Sequence, residues 1–405
     1  MGIFYKAYCR SYQTVFRAAT YLLNWKKPEL ISGEDSVLKI PEILKKHSFN
    51  NVMLVSGKTI TKLGLPDKLL SALDNNGIEC HIFCNLQPNP TIKNVEDAKD
   101  FYIKNNCQAI IALGGGSPMD CAKIAGARVA NPNTPVSKMR GQLKIRKPVP
   151  FLIAIPTTAG TGSETTIAAV VTDSDTHEKF AVNDLKLMPK YAVLDPTLTV
   201  GLPAHITAAT GMDALTHAVE AFIGRSYTKE TSLCARKAVK LIFENLEKAY
   251  VDGSDIVARN NMLKASYYAG VAFTRAYVGY VHAIAHQLGG MYGVSHGLAN
   301  AVILPHILEY FAESAKNELA SLAECIGVAD KNKTSAENAY VFINSVKNLN
   351  ITLGIPNSFD CIREEDIPVI VKRALKEGNP LYPVPKIMDA DDCTDIVEKL
   401  MNCNQ

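Results

Sequence analysis

At 405 residues, with 47% hydrophobic and 20% charged content, the chain is globular in composition and long enough for two cores. A formal charge of +3, with basic residues scattered among nearly equal numbers of acids, argues against nucleic acid as a partner. No apolar run approaches the ~20 residues that span a bilayer, and ten cysteines without a CxxC pair suit a reducing cytoplasm, so stable membrane insertion and a disulfide framework are both set aside.

Residues 1–28 mix Tyr, Phe, Val, Leu and Trp25 with Arg10, Arg17 and Lys26, and are treated as an N-terminal extension. The pattern predicts an amphipathic helix that docks on the protein itself in preference to a membrane surface. From residue 29 short apolar runs alternate with helical patterns: a strand at 52–55, a helix from about Asp67, a strand at 80–83, a helix near 95–105, and strands at 110–113, 151–155 and 191–194. Strands rich in Val, Ile and Leu that alternate with helices predict a parallel sheet covered on both faces, hence an α/β dinucleotide-binding domain over 29–200. The basic stretch Lys138, Arg140, Lys144, Arg146 and Lys147 reads as a solvated loop. Beyond the Gly201-Leu202-Pro203 punctuation, helical spacing over 206–223, 230–250 and 258–276 predicts an all-α domain over 201–405.

Two loops have the composition of phosphate cradles. The strand at 110–113 runs into Gly114-Gly115-Gly116-Ser117-Pro118 and then a helical pattern, with Ser117 placed to cap and Pro118 suited to the first helical position. The second, residues 156–164, follows the strand at 151–155 with Thr157, Thr158, Thr161, Ser163 and two glycines; Thr161 or Ser163 is the expected cap. Each taken alone is equally an ordinary tight strand-to-helix connection.

Asp213 and His217 stand four residues apart, as do His282 and His286, which puts each pair on one helical face; His296 follows after a glycine-bearing break. A carboxylate with three imidazoles and no thiolate suits Zn²⁺ or Fe²⁺ better than Ca²⁺ or Mg²⁺. His47, His81, His177, His205 and His306 read as structural, and Glu220, seven residues after Asp213, either supports the ligands or pairs with a base, the second being the preferred reading.

The motifs GGGSPMD, PTTAGTGSE, DPTLTVGLP, GMDALTHAVE and HAIAHQLGGMYGVSHG, in that order, resemble the iron-containing alcohol dehydrogenase family from about residue 29 to the end. The resemblance implies a nucleotide-binding α/β domain, a helical domain and a catalytic cleft between them. It implies a cation, Fe²⁺ or Zn²⁺, on Asp213, His217, His282 and His296, with His286 as a proton relay and Phe273 near the substrate mouth. Around the cofactor it implies Gly115, Gly116, Ser117, Thr157, Thr158, Thr161 and Lys179; Asp120 and Ser163, inside the same motifs, are counted with them. Many NAD-preferring members carry an acid after the first long strand, whereas Val55-Ser56-Gly57-Lys58 offers none. A 2′-phosphate would meet no repulsion at Gly57 and Lys58, which tilts the expectation to NADP(H) or dual use with NAD(H). The expected activity is interconversion of a small primary alcohol and its aldehyde by a cytoplasmic homodimer. The alternatives are a non-catalytic metal- and nucleotide-binding protein, or a dehydroquinate-synthase-like lyase on the same fold.

Overall fold

The structure, a computed structural model, describes residues 3–174 and 178–401; His177 and Cys403 lie outside the described residues. The chain opens with α1 (Ile3–Tyr21), then alternates β1 (Glu29–Ser32), α2 (Ile40–Lys46), β2 (Asn51–Ser56), α3 (Lys58–Lys62), α4 (Asp67–Asp74), β3 (Glu79–Phe83), α5 (Ile92–Lys104), β4 (Ala109–Gly114) and α6 (Gly116–Ala130). There follow α7 (Val136–Met139), β5 (Gly141–Gln142), β6 (Phe151–Pro156), β7 (Ala168–Asp173), β8 (Glu178–Asn183) and β9 (Tyr191–Leu194). The remainder is helical: α8 (Ala204–Ile223), α9 (Lys229–Val251), α10 (Ile256–Ala276), α11 (Tyr280–Tyr292), α12 (His296–Phe311), α13 (Lys316–Cys325), α14 (Ser335–Thr352), α15 (Ile367–Gly378) and α16 (Ala390–Lys399). Two compact units result, one from Asn24 to Gly201, the other from Leu202 onward together with the residues up to Leu23. No described helix is long and apolar enough to cross a membrane, and the nine described cysteines are free thiols.

In the α/β unit the strand order is β1-β9-β6-β4-β2-β3, with every pairing parallel. Successive side chains of a strand point to opposite faces, and here both faces are buried. Met53, Val55, Ile110 and Ala112 join Val95 and Tyr102 of α5 and Met119 of α6 on one side. Val52, Leu54, Ile111 and Leu113 join Ile40 and Leu44 of α2 and Leu69 and Leu73 of α4 on the other. This is why the central strands read as continuous apolar runs. From β2 the chain steps outward to β3 and then returns to place β4 on the far side of β2. The carboxyl ends of β2 and β4 therefore flank the topological switch point where such sheets bind ligands.

A second sheet, β5-β8-β7, was not foreseen. The basic residues Lys138, Arg140, Lys144, Arg146 and Lys147 are exposed as expected, but the segment is not all loop: Gly141–Gln142 pairs with β8, Arg140 Nη1 donates to Glu178 Oε2 at 2.8 Å, and Ile145 is buried with its N–H on Asp184 Oδ2. The short strand was not foreseen because its partner lies about 40 residues away.

The helical unit is organised around α8, which is apolar nearly all round and is therefore buried through its C-terminal two-thirds. Gly211 lets α9 approach: a Cβ there would lie 2.3 Å from Leu246 Cδ1.

A candidate metal centre and two candidate phosphate loops

Three helices bring the acid and imidazoles together. Asp213 and His217 lie one turn apart on α8, His282 is on the first turn of α11, and His296 is the first residue of α12. Asp213 Oδ1 stands 3.9 Å from His217 Nδ1, 3.9 Å from His282 Nε2 and 3.4 Å from His296 Nε2. One ligand atom from each of the four lies within 4.8 Å of all the others. Asp213, His217 and His282 are buried and His296 is exposed, so the cluster has one open side. Burial and the neighbouring imidazoles hold His282 well below the usual histidine range, leaving a neutral ring with a lone pair for a cation. Donor set and spacing fit one divalent cation.

The surroundings name groups that sequence reading missed or misassigned. Glu220, expected to pair with a base, is buried and accepts from the N–H groups of Gly279 and Val281, each at 2.8 Å; its Oε2 lies 2.6 Å from His282 Nδ1. Burial pushes its pKa up to about 8, and a nearby cation would pull it down again. Asn300, one helical turn beyond His296, donates from Nδ2 to Asp213 Oδ1 at 2.7 Å and sits 3.2 Å from Nε2 of both His282 and His296. Only its i+4 relation to His296 hinted at this. His286 is exposed, stacks on His296 with centroids 5.3 Å apart, and its Nδ1 lies 2.7 Å from Glu377 Oε1. Phe273 stacks face to face on His217 at 4.1 Å.

In the α/β unit the two loops meet at the ends of neighbouring strands: Gly114 is in register with Pro156, and Thr157 N–H donates to Gly114 O at 3.0 Å. A Cβ on Gly115 would lie 3.4 Å from Thr158 Oγ1 and one on Gly116 3.4 Å from Thr161 Cγ2, so small residues keep the cradle open. The expected caps are corrected. Gly115 is the N-cap of α6 with no side-chain hydrogen bond, Pro118 is the third helical residue rather than the first, and Ser117 Oγ accepts from Asn89 N–H. The 3₁₀ turn Ser163–Thr165 is likewise capped by Gly162 without a side-chain bond, although Thr161 Oγ1 accepts from Ser163 N–H at 3.3 Å. Glycines turn the backbone directly from strand into helix, which leaves the first amide groups of α6 for an anion.

Asp120 and Ser163 brace the cradle from beneath. Ser163 Oγ donates to Asp120 Oδ1, and Val170 N–H donates to Asp120 Oδ2, both at 3.1 Å. Lys123, unremarkable in sequence, is 1% exposed and donates to the carbonyls of Ser163, Thr166 and Ala168 at 2.7 to 2.9 Å. Burial pushes its pKa down to about 8. Gly57 is the N-cap and Lys58 the first residue of the short helix after β2, while Lys179 lies on β8 opposite Thr172; both lysines are exposed.

Comparison with known proteins covers both units. The model of the iron-containing alcohol dehydrogenases matches residues 27–196, and that of the C-terminal part of the Fe-containing alcohol dehydrogenase family matches 207–401. The 1,3-propanediol dehydrogenase of Citrobacter freundii is 38% identical over 351 residues, 86% of this chain and 90% of its own. The NAD-dependent methanol dehydrogenase of Bacillus methanolicus is 36% identical over 376 residues, 92% of this chain and 98% of its own. Among solved structures, the alcohol dehydrogenase from Oenococcus oeni superposes with a TM-score of 0.90 at 34% identity, covering 93% of this chain and 99% of that one. With both units matched, the chain belongs to the iron-containing alcohol dehydrogenase family and is an alcohol/aldehyde oxidoreductase.

Proposed function

We propose that the chain interconverts a small primary alcohol and its aldehyde, with Asp213, His217, His282 and His296 holding one Fe²⁺ or Zn²⁺. The observation that carries this is the convergence of one carboxylate and three imidazoles within 4.8 Å. When bound, the cation supplies charge stabilisation at the substrate oxygen and the nicotinamide supplies or takes the hydride. Glu220 holds His282 by Nδ1 so that Nε2 faces the other ligands. His286, anchored by Glu377 and exposed, is placed to carry the hydroxyl proton between substrate and water. The amides of Gly115, Gly116 and Ser117, with the hydroxyls of Thr157, Thr158 and Thr161, bind the pyrophosphate. One methylene more or less changes binding only modestly, so a panel of short aldehydes rather than one substrate is expected to turn over.

At the switch point Gly57 and exposed Lys58 place no carboxylate against a 2′-phosphate, which supports use of NADP(H) alongside NAD(H). The free cysteines support a reducing compartment such as the cytoplasm, and a two-fold homodimer is the commonest assembly for such an enzyme. The test is oxidation of NADPH and NADH, followed by absorbance, with short aldehydes and protein stripped of metal or loaded with Fe²⁺ or Zn²⁺. Metal-dependent turnover is expected, and Gly57→Asp should shift preference toward NADH; turnover indifferent to metal would refute the ligand assignment.

A further inference from the structure

The helix α1 precedes the stretch that the family model matches, which begins at residue 27, yet it is fastened to the helical unit at specific points. Cys9 is fully buried and Gln13 is 6% exposed. The Arg10 guanidinium donates to Val384 O and to Pro385 O, both at 2.7 Å, and Gln13 Nε2 donates to Tyr382 O at 2.8 Å and Pro380 O at 3.2 Å. Arg10 also donates to Gln13 Oε1 at 2.9 Å, so the two side chains act as one clamp on the 380–385 segment. About one turn past Gln13, Phe16 meets Tyr277 edge-on at 5.5 Å.

Both gripped segments lead to the metal centre. Tyr382 Oη donates to Glu377 Oε1 at 2.9 Å, the same oxygen that lies 2.7 Å from His286 Nδ1. Tyr277 holds φ +69° with ψ 175°, an extended positive-φ conformation that a bulky residue keeps only where its surroundings impose it. It stands two residues before Gly279, whose N–H donates to Glu220, the partner of His282. The segments also touch each other: a Cβ on Gly279 would lie 3.5 Å from Val384 Cγ1. The tie continues through Tyr280, whose hydroxyl donates to Asn379 Oδ1 at 2.7 Å.

We propose that α1 is a positioning strap for the metal centre: Arg10 and Gln13 hold the 380–385 segment, Phe16 holds Tyr277, and these fix the two carboxylates, Glu377 and Glu220, that orient His286 and His282. The strap touches no reacting atom and acts through those two pairs. It rests on the ligand and relay roles proposed above.

The test is the Arg10→Ala/Gln13→Ala double variant in the full chain, beside Arg10→Lys and a chain starting at Asn24. Amide exchange over 277–283 and 377–385 should quicken by about tenfold, and release of Zn²⁺ to a chelator should quicken by a similar factor. In the loaded enzyme kcat should fall by about tenfold with the cofactor KM within about twofold, and Arg10→Lys should recover part of both losses. Exchange and Zn²⁺ release are read without turnover, so they judge the strap even where the proposed reaction fails. Faster exchange in those segments with unchanged Zn²⁺ release would overturn it, as would faster exchange spread evenly over the helical unit. If the double variant does not fold, Phe16→Ala with the same measurements decides.

Discussion

Glu220 Oε2 lies 2.6 Å from His282 Nδ1 and holds that ring by the nitrogen opposite the one that faces Asp213. Glu220→Ala should therefore cost Zn²⁺ affinity by about 10- to 100-fold, the usual effect of removing the carboxylate behind a ligating histidine. Competition with a chromophoric chelator measures it, and an unchanged affinity would remove Glu220 from any role at the centre.

His217→Ala and His286→Ala should part company. The first removes a proposed ligand, and dialysed protein should lose its stoichiometric cation together with metal-dependent turnover. The second should keep one cation per chain while kcat falls by about 10²- to 10⁴-fold, the range for a lost proton relay. Metal analysis beside steady-state kinetics separates them; loss of the cation in His286→Ala would make His286 a ligand.

Gly114 has φ +149°, and a Cβ there would lie 2.7 Å from Pro118 Cγ. Gly114→Ala should destabilise the α/β unit by about 1–3 kcal/mol through backbone strain and the clash with a stiff ring. Urea unfolding followed by circular dichroism reports this; a loss under about 0.5 kcal/mol would mean that the loop relaxes freely.

Glu164 is 1% exposed, neither of its carboxylate oxygens has a side-chain hydrogen-bond partner among the described residues, and burial pushes its pKa from 4.5 up to about 7. The folded state binds this proton more tightly than the unfolded chain, so stability falls as pH rises from about 4.5 to 7 and the full penalty of about 3 kcal/mol persists above that. Glu164→Gln carries no such penalty. Its melting temperature should rise relative to the wild type between pH 5 and 8, and parallel profiles would show that Glu164 is solvated or paired.

Much of the centre was readable because helices are locally periodic. Asp213 with His217, and His282 with His286, are i, i+4 pairs whatever surrounds them, and the alternation of apolar runs with helical patterns marked the sheet strands. The same local logic failed at Pro118, where glycine backbone freedom starts α6 two residues early. It also missed β5, whose partner strand β8 comes from about 40 residues further along the chain. Lys123 looks like an ordinary helix residue until the 161–170 segment folds over it.

The sequence by itself determined which residue types can form the centre and the cradle, since spacing on a helix and the missing Cβ of glycine are properties of a few neighbouring residues. Only the tertiary structure decided that α8, α11 and α12 converge, that Glu220 and Asn300 back the ligands, and that α1 grips the segments behind them. Those contacts join residues 62, 87 and 374 positions apart, and at such separations partners are chosen by how whole helices pack, not by any local period.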